Sequence, residues 1–151
     1  MLNSSDVIRE LETARGAGDS RDDLLRAAVE RIDRAEDHFN WTGIYLLEGD
    51  ELVLHNYVGR PTEHTHIPVG VGVCGAAVAQ NRDLKVDDVS AEENYLACSI
   101  ETKSELVILI RSADGRIHGQ IDLDSDRVAA FTPADEAGLR EIADWLARLF
   151  Q

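Results

Sequence analysis

The hydrophobic positions follow two rhythms, and these set the expected elements. Val7, Ile8 and Leu11 recur at helical spacing and predict a short opening helix, broken by Gly16-Ala17-Gly18-Asp19-Ser20. Leu24, Leu25, Ala28, Val29 and Ile32 form one stripe with charged residues opposite, predicting a second helix capped by Asp19 or Ser20. The period then shortens to two. Thr42 to Leu47 and Leu52 to Val58 read as antiparallel strands joined through Glu48-Gly49-Asp50-Glu51, and Gly59-Arg60-Pro61 ends that hairpin. His64 to Val69 is extended and leads into Gly70-Val71-Gly72-Val73-Cys74-Gly75, followed by a short helix from Ala76 to Gln80.

Leu84 to Val86 predicts a brief strand. Asp87 to Ser104 has no clear period and reads as a long surface loop; loops of that length are uncommon and often functional. Leu106 to Arg111 and Arg116 to Asp124 form a second hairpin around Ser112-Ala113-Asp114-Gly115, where Asp-Gly favours a two-residue loop. Thr132, Pro133 and Asp135 carry a capping-box pattern that opens a last helix, with Leu139, Ile142, Ala143, Leu146 and Leu149 on its buried stripe. This order predicts a single α+β domain over residues 1–151, an antiparallel sheet with helices on one face.

The second hairpin carries candidate chemistry. With a two-residue loop, Glu105 lies opposite Asp124 and Val107 opposite Asp122; a four-residue loop puts Glu105 opposite Asp122. Either register gathers Glu105, Asp122 and Asp124 on one face and turns Leu106, Ile108, Ile110, Ile121 and Leu123 to the other. A three-residue loop with a bulge would break this alignment. Like charges opposite each other in a sheet are destabilising, so a cation, a cationic substrate or a shared proton should offset them. A solvated acidic face is the competing explanation.

Composition narrows the function classes. The net charge of −14 disfavours nucleic acid and anionic membranes as partners. Lys85 and Lys103 are the only lysines, which suggests an acidic protein from a salt-loving source. Met1 to Asp6 has neither the basic nor the apolar region of a signal peptide, and no apolar run approaches a membrane span, so a cytoplasmic location is expected.

The two cysteines are either buried fillers or a reactive pair. Cys98 lies in the polar loop, and Cys74 in a glycine-rich turn before a helix, where backbone N–H groups could stabilise a thiolate. If the loop folds over the sheet, the sulfurs could meet; a low-pKa thiol can be oxidised and then resolved by a second thiol. For Cys74 alone, beside Val73 and Ala76, a small buried filler is the better account; for Cys98, in a polar loop, it is the weaker one. Gly70, Gly72 and Gly75 match G-x-G-x-x-G but lack a clear βαβ setting, and tight turning explains them better than a dinucleotide. His64 and His66 alternate on an extended segment; with His55 and His118 elsewhere, surface histidines are a better account than a metal site, and no metal is expected. Trp41 and Tyr45 are core aromatics or a pocket wall.

Asn40-Trp41-Thr42-Gly43-Ile44-Tyr45-Leu46-Leu47, Ile67-Pro68, Gly72-Val73-Cys74-Gly75, Asp88-Val89, Ala97-Cys98, Ser104-Glu105 and Ile121-Asp122-Leu123-Asp124-Ser125 together resemble free methionine-(R)-sulfoxide reductase, a family of stand-alone GAF domains. The likeness runs in order from about Leu24 onward. It implies a GAF-like sheet with a loop-covered pocket opposite the helices. It implies that Cys98 is the nucleophile and Cys74 the resolving cysteine, that Glu105, Asp122 and Asp124 hold the substrate's polar groups, and that Trp41 and Tyr45 line the pocket. It also implies no bound cofactor, recycling by a thioredoxin-like reductant, and compatibility with a homodimer.

The chain departs from the pattern at His64, where many members carry a further cysteine, at Ser99, where Asp is usual, and in Ile100-Glu101-Thr102-Lys103. A non-catalytic GAF sensor and a divalent-metal site on the acidic face are the rival expectations.

Overall fold

Period-two patterning builds a sheet from β1 (Trp41–Glu48), β2 (Glu51–Val58), β3 (His66–Pro68), β4 (Leu84–Val86), β5 (Ser104–Arg111) and β6 (Ile117–Ser125). The strands lie in the order β3-β2-β1-β6-β5-β4, and each neighbouring pair is antiparallel. The computed structural model describes residues 1–92 and 101–150. Among them no helix is long and apolar enough to cross a membrane.

Helices α1 (Ser4–Gly16), α2 (Arg21–Ala35) and α4 (Pro133–Ala147) cover one face of the sheet. The predicted stripe of α2 is fully buried there with Leu139, Ile142, Ala143 and Leu146, against Ile44, Leu106, Ile108, Ile110, Ile121 and Leu123. Each buried Leu, Ile or Val among them contributes about 1.5–3 kcal/mol by leaving water. Ser20 rather than Asp19 caps α2, in a reciprocal box with Asp23; Thr132 and Asp135 form the same box on α4. Leu149 falls beyond α4, in a closing 3-10 turn (Arg148–Phe150), and still packs against this core.

The opposite face carries the remaining helix, α3 (Gly72–Gln80), over Trp41, Tyr45, Leu52, Ile67, Val107 and Leu109. α3 begins at Gly72 instead of Ala76, because the glycine run is its first turn and not a loop before it. Gly75 lets α3 lie against the turn behind it: a Cβ there would meet the Pro68 carbonyl oxygen at 2.6 Å, where the Gly70 N–H donates to the Gly75 carbonyl at 2.9 Å. The long loop is also partly ordered. Val89–Ala91 makes a 3-10 turn, and Ser104 already belongs to β5.

The β5–β6 hairpin closes differently from the two-residue expectation. The Ser112 N–H donates to the Arg116 carbonyl, so Ala113-Asp114-Gly115 is a three-residue loop, with Gly115 at φ +91°. An irregularity between Ile110 and Arg111, which pair with Gly119 and Ile117, then takes up one residue. The bulge restores the register of a two-residue loop, and the alignment of the acidic residues survives.

Candidate functional site

Strand register assembles the acidic centre. Glu105 pairs with Asp124 and Val107 with Asp122 across β5 and β6; on the other side of β6, Asp122 faces Gly43 and Asp124 faces Trp41. All three carboxylates point to the α3 side and are almost fully buried: Glu105 is 3 % exposed, Asp122 0 % and Asp124 1 %. They are therefore not a solvated acidic face. Burial, followed by the charges of Asp122 and Asp124, pushes the Glu105 carboxyl well above the usual range. Burial also raises Asp122. Burial and mutual repulsion thus favour the protonated form of these carboxyls.

Cys74, third residue of α3, brings a thiol onto this centre. Its S–H donates to Glu105 Oε2 at 3.7 Å. Ligand atoms of Cys74, Glu105 and Asp122 lie within 4.8 Å of one another, a spacing that could also hold a small cation. A cavity of about 10 Å³ separates them, bounded by Ile67, Val71 and Val73. It is the size of one water molecule.

The predicted aromatics stand beside this centre. Trp41 stacks on Tyr57 at 5.3 Å and on Tyr45 at 6.5 Å. Gly43 and Gly59 make room for the indole, since a Cβ at either would meet it at 2.4 or 2.7 Å. Polar atoms fix both rings: Trp41 Nε1 donates to the Arg60 carbonyl at 3.1 Å, and the Tyr45 hydroxyl donates to the His64 carbonyl at 2.7 Å.

Cys98 and Ser99 lie outside the described residues, and so does the expected meeting of the two sulfurs. The described flank beyond them is well anchored. Thr102 is buried, the Lys103 N–H donates to the Ser125 carbonyl at 2.7 Å, and Ser104 Oγ donates to the Arg127 carbonyl at 2.6 Å. Arg60 bridges Glu101 at 3.0 Å and Asp126 at 2.5 Å.

Gln120 belongs to this site and escaped the sequence reading. It lies two residues before Asp122 on the same face, and its Nε2 donates to the Cys74 carbonyl at 3.0 Å, tying α3 to β6. The period-two rule that aligned Asp122 with Asp124 extends to it. His64 and His66 join no metal-sized cluster among the described residues. His38 does, with Glu36 and Asp135, but Asp135 is occupied by the Thr132 cap and by His38 Nε2 at 2.8 Å.

Comparison with known proteins agrees with this architecture. A family model for the GAF domain matches residues 18–151. The free methionine-R-sulfoxide reductase of Escherichia coli is 40 % identical over 110 residues, covering 73 % of this chain and 66 % of that protein. This chain thus matches slightly less than two thirds of that relative's length. The structure of a type II free methionine-R-sulfoxide reductase from Thermoplasma acidophilum superposes with a TM-score of 0.82 at 39 % identity, covering 85 % of this chain and 91 % of that one. The free methionine-R-sulfoxide reductase of Neisseria meningitidis, solved in complex with its substrate, gives a TM-score of 0.86 at 34 % identity, over 97 % and 87 % of the two chains. The chain belongs to the GAF-domain family and, within it, to the free methionine-R-sulfoxide reductases.

Proposed function

We propose that this chain reduces free L-methionine-(R)-S-oxide to L-methionine with electrons from thiols. The observation that carries the reading is the burial of the Glu105 carboxyl between two further acids and a thiol, which favours its protonated form. An anionic, water-poor pocket suits the ammonium group of a free amino acid. A carboxyl that keeps its proton can pass it to the sulfoxide oxygen as the S–O bond weakens. A Ca²⁺ or Mg²⁺ site is the competing use of the same acids, and a heat-silent titration with either ion removes it.

Cys98 is the proposed nucleophile. Three residues separate it in sequence from the buried Thr102. Its thiol attacks the sulfoxide sulfur; oxygen passes to Cys98, giving methionine and a Cys98 sulfenic acid. The Cys74 thiol then displaces that oxygen as water and forms a Cys74–Cys98 disulfide, which a thioredoxin-like dithiol reduces. Trp41 and Tyr45 wall the pocket, and Asp122 and Asp124 hold the ammonium. Such a cycle needs a reducing compartment, which favours the cytoplasm. A homodimer is compatible with the family and would be read from light scattering.

A coupled assay with a thioredoxin system tests the proposal. Reductant should be consumed with the free R sulfoxide and not with the S form. If neither form turns over while the sulfoxide still binds, the chain is a GAF sensor.

A further inference from the structure

Gln120 grips the peptide of Cys74 from the sheet side. It stands on β6 opposite Tyr45 of β1 and Leu109 of β5, and it is fully buried. Its Nε2 donates to the Cys74 carbonyl at 3.0 Å, across 46 residues of sequence. Its Oε1 is buried and has no hydrogen-bond partner among the described residues. A buried amide with one end unpaired is a costly way to fill apolar space, and a leucine would fill it without that cost. The bonded end therefore accounts for the amide, and that end touches the residue that bears the thiol.

The helix α3 needs such a hold. It has no side-chain cap at its N-terminus, and its buried positions are Gly72, Val73, Cys74, Gly75, Ala77 and Val78. Most of these are small and bury little apolar area. Close packing of Gly75 on the Pro68 carbonyl limits how near α3 comes to the turn behind it. A hydrogen bond adds direction, because it weakens as its angle departs from straight. The contact from Cys74 Sγ to Glu105 at 3.7 Å is directional too, yet it cannot outlast the proposed cycle. As Cys74 attacks the Cys98 sulfenic acid, an S–S bond forms and the S–O bond breaks. The oxygen leaves as water with the thiol proton, so Sγ no longer has a proton to donate to Glu105. The bond from Gln120 involves no reacting atom and is compatible with both the thiol and the disulfide.

We propose that Gln120 is a positioning residue for the resolving thiol. Its amide holds the first turn of α3 on β6, so that Cys74 exchanges Glu105 for Cys98 by turning its side chain alone. The step it serves rests on the reductase reading; the hold itself does not.

Gln120→Leu keeps the bulk and removes the donor. In a single turnover, methionine release and the later loss of both thiols are followed separately. Disulfide closure should fall at least tenfold relative to methionine release. The melting temperature should hold or rise, because an unpaired buried oxygen is gone. Equal slowing of both steps, or a ratio of rates unchanged from the parent, overturns the proposal. A second measurement needs no turnover. In Cys98→Ala, Cys74 is the only thiol left, and it is 5 % exposed. Adding Gln120→Leu should quicken its alkylation by iodoacetamide at least fivefold, since a loosened turn admits the reagent more often. Alkylation at the parent rate also overturns the proposal. If the parent chain releases no methionine, the reductase reading fails, and the alkylation rate alone decides the role of Gln120.

Discussion

The thiol of Cys74 donates to Glu105 across 3.7 Å, and neither side chain is more than 5 % exposed. Thirty-one residues apart in sequence, they meet because α3 lies across the face that β5 and β6 fill with carboxylates. The contact ties a redox-capable group to a proton-holding one.

Cys98→Ala should abolish turnover, by about a thousandfold or more, because no other group supplies the attacking sulfur. Cys74→Ala should still release one equivalent of methionine in a single-turnover assay, then stall with thioredoxin. Multiple fast turnovers in that variant would mean that Cys74 does not close the cycle.

Glu105→Gln should lower activity by about a hundredfold, through loss of a proton donor, while stabilising the fold at higher pH. The sign follows from the raised carboxyl. The folded state holds the Glu105 proton more tightly than the unfolded state does. Its stabilising contribution is therefore complete below about pH 4.5, the ordinary glutamate value, and is lost as pH rises through the raised one. The loss runs at about 1.4 kcal/mol per pH unit within that window. Urea unfolding across a pH series should show the variant gaining on the parent as pH climbs; parallel curves would mean that Glu105 titrates normally.

Gly75→Ala should disturb the site from behind. The added methyl meets the Pro68 carbonyl and the Gly70 nitrogen at 2.6 and 2.9 Å, both backbone atoms that cannot swing away. Overpacking of this kind costs about 1–3 kcal/mol. The shift of α3 should also slow disulfide closure by Cys74, read as a lower rate of thioredoxin-dependent turnover relative to the single-turnover rate.

Added KCl should raise the melting temperature. At −14 the chain repels itself, and the screening length falls from about 10 Å at 0.1 M to about 3 Å at 1 M. A flat or falling melting temperature over that range would remove the expectation of a salt-loving source.

Much of the architecture was legible along the chain. The stripe from Leu24 to Ile32, the Thr132 box and the alternation of β5 and β6 are local patterns, and a local pattern decides which face of an element is apolar. The same alternation placed Glu105, Asp122 and Asp124 together and would have placed Gln120. Three features needed the tertiary structure. The hairpin loop has three residues, and only the bulge beside Arg111 brings Glu105 back opposite Asp124; one residue gained and one absorbed leave no trace in the hydrophobic period. The run from Gly70 to Gly75 looks like a turn, yet packing on Ile67 and Val107 makes its last four residues the opening of α3. Burial of the carboxylates came from α3 crossing the sheet. Sequence spacing reports neighbours within an element, whereas the free energy of a buried charge depends on what another element lays over it.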